Sequence, residues 1–302
     1  MKVLIIGIGN IGKSHLKSFF LSKKKYDIYL FDKFKINYSF INKNIFKNIN
    51  ITVLKKFPKS LKFDLAIIST NSLERSLILN KLHTYNKIKY FIIEKFLFTK
   101  LSHFESSKSF FHKRSNKIFI NVWGSYVANL LNIKIKKKKI KSLFEVEVQE
   151  GRLLTNLIHY LDMFFYLTEK NIDFDIFLKK KINSKRLKYH EARASIRGMN
   201  RFGKIIINSN KKVVNDYVKI TNGFDIFKII IAKKGNCYFY KNSKLIKVIE
   251  FPFSFKNTAK IYEQYLLKGK KSMIFKNSLT IFDLSEKILK KLHRINNKIY
   301  IT

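Results

Sequence analysis

The chain reads as a two-part α/β protein: an N-terminal doubly wound parallel sheet, then an α/β domain built on a mostly antiparallel sheet. Three observations carry this reading. Up to about residue 122, short apolar runs alternate with helix-length amphipathic stretches, the pattern of a parallel sheet covered on both faces. Between about 172 and 250, strand-like runs follow one another closely and are separated by Asn and Gly clusters, as in antiparallel hairpins. Residues 153–167 form a strongly apolar helix-length segment between the two patterns. The expected domains are therefore 1–122 and 123–302.

Taken in order, the runs at 3–6, 28–31, 65–69, 90–93 and 118–122 are the strands of the first domain. The run at 3–6 follows Lys2 and could imitate the start of a leader peptide, but Gly7 and Gly9 interrupt it. It reads as a first strand. The Asn- and Lys-rich stretch from about 34 to 60 offers one further strand, at 51–54. In the second domain, strands are expected at 205–207, 213–220, 226–231, 237–240 and 245–249, and two helices near 257–267 and 278–293.

The 302 residues carry 62 Lys plus Arg against 20 Asp plus Glu, a formal charge of +42. Disorder is excluded, because 46% of the chain is hydrophobic, with 29 Phe and 15 Tyr. The charge has two readings. One is a surface that binds polyanions, with the lysines at 134, 136–139 and 141 as its focus. The other is drift toward AT-rich codons, which favours Lys, Asn, Ile and Phe and depletes Ala, Gly and Pro. The 54 Lys against 8 Arg favour drift, because nucleic-acid readers rely on bidentate Arg. No aromatic-interleaved basic motif or zinc spacing is present, so no specific nucleic-acid partner is expected. Cys237 is the one cysteine, which fits a reducing, cytoplasmic setting. No apolar run approaches 18 residues, so no membrane helix is expected. No metal-ligand spacing stands out.

Gly7-Ile8-Gly9-Asn10-Ile11-Gly12 follows a strand and opens a helix. In a G-x-G-x-x-G turn the glycines allow a tight bend, close approach to a pyrophosphate and close helix–strand packing. The N–H groups at the helix start then face the anion. Asp32 lies 20 residues past Gly12 at the end of the second strand, where an acid accepts hydrogen bonds from a ribose. A dinucleotide site follows, with NAD preferred. Lys33 and Lys35 beside Asp32 leave NADP open.

Two further clusters stand at strand ends, Ser69-Thr70-Asn71-Ser72 and Glu94-Lys95. Ligands gather outside the carboxyl ends of such strands, although Glu94-Lys95 alone reads first as an ordinary surface charge pair. On the apolar helix, Thr155, Asn156, His159 and Asp162 form one polar seam at i, i+3, i+4 and i+7 steps. A buried seam must be satisfied by protein or by ligand, and a lone core His is commonly structural.

Gly7-x-Gly9-x-x-Gly12-x-x-His15, Glu94-Lys95 and Asn156-x-x-His159-x-x-Asp162, in this order, resemble the Gfo/Idh/MocA oxidoreductases along essentially the whole chain. The resemblance implies a Rossmann domain and a second α/β domain whose open antiparallel sheet forms an oligomer contact. It implies hydride transfer between NAD or NADP and a carbon of a sugar or cyclitol. Lys95 matches the lysine that touches both the nicotinamide ribose and the reacting hydroxyl, and His159 matches the general base. Glu94 and Asn71 would line the nicotinamide side, with Thr70 beside them. Asn121, Thr155 and Asn156 would join Lys95 and His159 on the substrate. Asn121, Arg75, Asn156 and the Ser184-Lys-Arg segment are similar to a branch that acts in bacterial surface-polysaccharide sugar biosynthesis.

The chain also departs from the family pattern. Phe96 and Asn71 replace prolines, and Arg75 stands where a His is usual. Thr155 replaces a catalytic Asp, so His159 loses a carboxylate orienter. These departures motivate a second reading, a catalytically degenerate nucleotide-binding regulator in a sugar pathway.

Overall fold

The computed structural model describes residues 1–34, 48–98, 100–113, 117–135, 141–168, 172–183, 190–232, 235–250, 258–261, 263, 267, 279–284 and 286–287. The lysines at 136–139 and the Ser184-Lys-Arg segment lie outside them. Two compact units separate, Met1–Asn121 with Phe255–Phe275, and Val122–Ser254 with Lys276–Thr302.

The first unit runs β1 (Lys2–Ile6), α1 (Asn10–Phe20), β2 (Tyr26–Phe31), β3 (Ile49–Val53), β4 (Lys62–Ile68), α2 (Arg75–Tyr85), β5 (Lys87–Ile93), α3 (Leu101–Lys113) and β6 (Ile118–Ile120). The six strands pair in parallel in the order β3-β2-β1-β4-β5-β6. Val3, Leu4, Ile5 and Ile6 are buried throughout, as expected of a central strand with helices on both faces. All the carboxyl ends share one edge, and strand order reverses between β1 and β4, where such sheets open a crevice for ligands.

The second unit contains α4 (Gly124–Leu130), β7 (Ser142–Gln149), α5 (Leu153–Leu167), β8 (Asp173–Asn183), β9 (His190–Met199), β10 (Gly203–Asn210), β11 (Asp216–Asn222), β12 (Asp225–Ile231), β13 (Asn236–Lys241) and β14 (Lys244–Glu250). Its eight strands run β14-β13-β12-β11-β7-β10-β9-β8. Every pair is antiparallel except β7–β10. Along β7, Phe144, Val146 and Val148 are buried and their neighbours half-buried, so the sheet has one core face. Helix α5, buried at 12 of its 15 positions, packs against β7, β9 and β10.

A single division after residue 122 does not describe the chain, because a later segment returns to the first unit. Its short helix α6 (Thr258–Ile261) packs on α1. The Thr258 hydroxyl meets His15 Nδ1 at 2.9 Å, Ala259 N–H donates to Ser18 Oγ at 3.2 Å, and Tyr26 O–H donates to Glu263 at 2.5 Å. Of the second closing helix, residues 279–284 and 286–287 are helical.

Candidate functional site

The three glycines of the first turn carry three different constraints. Gly7 has φ +89°, and a Cβ there would lie 2.7 Å from the Thr70 nitrogen. A Cβ on Gly12 would lie 1.9 Å from the Gly7 carbonyl oxygen, so α1 can leave the sheet at this angle only with glycine. Around Gly9 nothing lies within 4 Å of a Cβ. Its freedom serves no internal packing and leaves the backbone there open to a ligand. Helix α1 has no side-chain cap and no acid in its first turn. Its first N–H groups therefore keep their partial positive charge for an anion. Asn10 and Ile11 are exposed there. Ser69 Oγ–H, at the end of β4, braces the turn against the Gly7 carbonyl (2.7 Å) and the Ile6 carbonyl (3.0 Å).

Asp32 stands over this turn. Its Oδ2 accepts the Ile8 N–H at 2.6 Å and its Oδ1 accepts the Phe34 N–H at 3.0 Å. The carboxylate is thereby oriented, and each oxygen keeps lone-pair capacity for a hydroxyl. Lys33 is paired with Glu74, so its charge is already matched; Lys35 lies outside the described residues. Thr70 Oγ1 is buried and meets no hydrogen-bond partner among the described residues. Asn71 uses its side-chain oxygen to accept the Glu74 N–H at 3.1 Å, just before α2.

After β5, Glu94 is buried rather than solvated. Its Oε1 meets His15 Nε2 at 2.8 Å and also accepts from the Asn121 amide. Burial pushes the carboxyl up, but His15, Asn121 and Arg75 together hold it below the usual carboxylate range. The surface-pair reading of Glu94-Lys95 therefore fails for Glu94. Arg75, 2% exposed, donates to the Glu94 carbonyl (2.6 Å), the Leu97 carbonyl (3.2 Å), the Phe96 carbonyl and the Thr70 carbonyl (2.5 Å). A planar guanidinium can gather four carbonyls in this way where a His could not. Lys95 sits half-buried in the middle of that clamp. Asn121 Oδ1 is buried without a partner among the described residues.

In the second unit the polar seam of α5 is answered by protein atoms. Thr155 donates its hydroxyl to Glu191, which also accepts the Leu154 N–H (2.8 Å) and the Thr155 N–H (3.0 Å). Glu191 thus caps α5 from β9. Asn156 Nδ2 donates to Asp216 at 3.3 Å, beside the Tyr160 hydroxyl at 3.1 Å. His159 stacks on Trp123, with centroids 4.9 Å apart, and its Nδ1 accepts the Trp123 N–H at 3.3 Å. Asp162 accepts the Ser125 N–H at 2.6 Å, and burial pushes its carboxyl up to about 7. His159 and Asp162 together satisfy the start of α4. The helices approach so closely that a Cβ on Gly124 would lie 2.0 Å from the His159 carbonyl oxygen.

The structure therefore brings Gly7, Gly9, Asn10, Ile11, Gly12, Asp32, Thr70, Asn71, Glu94, Lys95 and Asn121 to one edge of the first sheet. Thr155, Asn156 and His159 share α5 in the second unit. Sequence reasoning missed Trp123, Glu191 and Asp216, which lie far along the chain from the seam they satisfy. The need of a buried seam for partners was the only signal of them. Among the described residues no His, Cys, Asp and Glu group could hold a metal, and no helix is long and apolar enough to cross a membrane.

No family model matches the sequence, and no curated protein resembles it. Solved structures do match the whole fold. The UDP-N-acetylglucosamine 3-dehydrogenase GnnA of Acidithiobacillus ferrooxidans superposes with TM-score 0.69 at 10% identity, covering 95% of this chain and 96% of that one. The transcriptional regulator Gal80p of Kluyveromyces lactis gives 0.68 at 13%, covering 98% and 93%. The 3-ketoreductase KijD10 of Actinomadura kijaniata, solved as a mutant with TDP-benzene and NADP, gives 0.62 at 10%, covering 96% and 97%. The chain thus shares the fold of these proteins: a Rossmann-type parallel sheet joined to a mostly antiparallel one.

Proposed function

We propose that this chain is an NAD(P)-dependent oxidoreductase that moves a hydride between nicotinamide and a carbinol carbon of a sugar or nucleotide sugar, in the cytoplasm, in surface-polysaccharide sugar biosynthesis. Residues 1–122 with the α6 return would bind the dinucleotide, and the second unit would bind substrate and pair with further copies through its open sheet. The observation that carries the reading is the first sheet's carboxyl edge. There the open space beside Gly9, an uncapped helix start and an oriented Asp32 coincide with the buried oxygens of Thr70 and Asn121, which have no partner among the described residues. Those features fit a pyrophosphate, a ribose and an amide-bearing ring in turn.

The bound nicotinamide would supply the hydride acceptor or donor. Gly9 and the first α1 amides would hold its pyrophosphate, and Asp32 its adenosine ribose. NAD is favoured over NADP because Lys33 is already matched by Glu74. Thr70, Asn71 and the Glu94–Asn121 pair would flank the nicotinamide, with Lys95 fixed by the Arg75 clamp. The Trp123 N–H occupies Nδ1 of His159, so the neutral ring carries its proton on Nε2. His159 would then steady the substrate oxygen as a hydrogen-bond donor; in reduction the Lys95 ammonium would stabilise alkoxide charge and give up the proton that completes the hydroxyl, and in oxidation the Lys95 amine would take that proton back. Asn121, Thr155 and Asn156 would complete the substrate contacts.

Purified protein should show a change in NADH absorbance when mixed with a member of a nucleotide-sugar panel. Lys95→Ala should abolish turnover while NADH binding survives. His159→Gln, which keeps a donor, should retain more activity than His159→Ala. Equal loss in the two His159 variants would favour proton exchange at the ring itself.

The second reading, a nucleotide-binding regulator, rests on the saturated seam, in which every polar residue already has a protein partner. Similarity to Gal80p, described as a transcriptional regulator, runs the same way. NADH binding with no absorbance change for any sugar would support it.

A further inference from the structure

At the opposite edge of the first sheet from the glycine turn, where β4 and β5 begin and α2 and α3 end, lies an open cleft of about 1050 Å³. Lys62, Lys87, Lys89, Lys113 and Lys117 line it, and no carboxylate does among the described residues. None of the five is in an ion pair among those residues. Asp64, two residues along β4 from Lys62, is held by the Lys2 N–H.

The wall is braced. Ser60 has φ 58°, a left-handed conformation uncommon for a residue with a side chain. Its N–H donates to the Tyr85 carbonyl at 2.7 Å, and the Lys87 N–H returns to the Leu61 carbonyl at 3.0 Å. Buried Asn86 ties the same loop twice, accepting the Leu61 N–H (3.2 Å) and donating to the Pro58 carbonyl (2.9 Å).

Two helix carboxyl ends face this edge and would by themselves repel an anion, each by roughly half a charge. Five ammonium groups against about one negative charge leave roughly four positive charges. Lysines serving only to complement two helix ends would not need this excess.

We propose that the cleft binds a small anion carrying two or more phosphate groups. Its size is that of a small-ligand site, of order 300–1,000 Å³. Ammonium groups are point-charge partners for phosphate, and the Ser60 hydroxyl on the lining offers a neutral donor. Free polyphosphate and the phosphate tail of a nucleotide share this chemistry.

The test is calorimetric titration with inorganic tripolyphosphate at about 0.15 M salt, where diffuse attraction to the +42 chain is screened. The triple variant Lys87→Ser, Lys89→Ser, Lys113→Ser is compared with a control of equal charge in the other unit, Lys204→Ser, Lys212→Ser, Lys244→Ser. Far-UV circular dichroism and the melting temperature serve as the check on folding. One saturable site, weakened at least tenfold in the first variant and less than twofold in the control, is the expected result. ATP displacing tripolyphosphate would identify the nucleotide tail as a source of the ligand, and failure to displace would identify free polyphosphate. No saturable binding, equal loss in both variants, or duplex DNA binding that tripolyphosphate does not compete would overturn the proposal.

Discussion

The glycine turn and the α5 seam make opposite use of polar groups. At the first sheet's carboxyl edge, donors and acceptors stand ready: the α1 amides carry no side-chain cap, and the Thr70 and Asn121 oxygens are buried without a partner among the described residues. Along α5 each of four polar side chains is already bonded, to Glu191, Asp216, the Trp123 N–H and the Ser125 N–H. Buried polar atoms without partners cost free energy that a ligand recovers, whereas satisfied ones hold the fold. The first region therefore leaves polar groups available to a ligand, and the second spends its polar groups on the fold.

The largest effect is expected at Gly12. Its Cβ would meet a backbone oxygen at 1.9 Å, so Gly12→Ala must push α1 off β1. Overpacking of that kind costs about 3 kcal/mol or more when backbone has to yield. Both the melting temperature and NADH affinity should fall together. A variant that melts like the wild type would show that the turn is loose rather than packed.

The seam has its own test in Asp162. Burial raises this carboxyl from 3.8 to about 7, so the folded state holds the proton more tightly than the unfolded chain. Stability from this group is complete below about pH 4 and is lost as pH rises to about 7. At ~1.4 kcal/mol per unit the loss reaches at most roughly 4 kcal/mol. Asp162→Asn keeps an acceptor for the Ser125 N–H but cannot ionise. Urea denaturation should show the variant gaining on the wild type between pH 5 and pH 8. A constant difference across that range would mean that Asp162 is charged throughout and serves α4 as an ordinary anionic cap.

Glu191→Gln is a smaller step. It leaves an oxygen for only one of the two α5 amides, turns an NH2 toward the other and removes the charge facing the helix start, a loss of about 2 kcal/mol. If the seam is structural, stability should drop and any turnover should persist. Turnover lost with stability intact would make Glu191 the carboxylate that Thr155 no longer supplies, and would move the seam into the same class as the glycine turn.

How far the sequence foretold these regions follows the same contrast. The turn was legible because its constraint is local: three glycines, a strand, a helix start and an acid 20 residues on. Helix α5 was legible for the same reason, its span Leu153–Leu167 being written in its apolar residues. Strand β7 was not, since Ser142, Glu145, Glu147 and Gln149 dilute its apolar face. The parallel β7–β10 pair and the return of α6 to α1 depend on contacts between distant segments. Glu94 looked like a surface charge because its partners His15 and Asn121 lie 79 and 27 residues away.

The mildest substitution, at Gly9, separates packing from ligand binding. A Cβ on Gly9 meets nothing within 4 Å, and its φ of −73° is open to any residue. Gly9→Ala should change stability by no more than about 0.5 kcal/mol. A pyrophosphate lying against that backbone would meet the new methyl group directly, so NADH affinity should fall at least tenfold while the melting temperature stays put. Gly12→Ala would lose both properties and Gly9→Ala only one. Unchanged NADH affinity in Gly9→Ala would mean that the space beside this glycine does not hold the cofactor, and the dinucleotide assignment would fall with it.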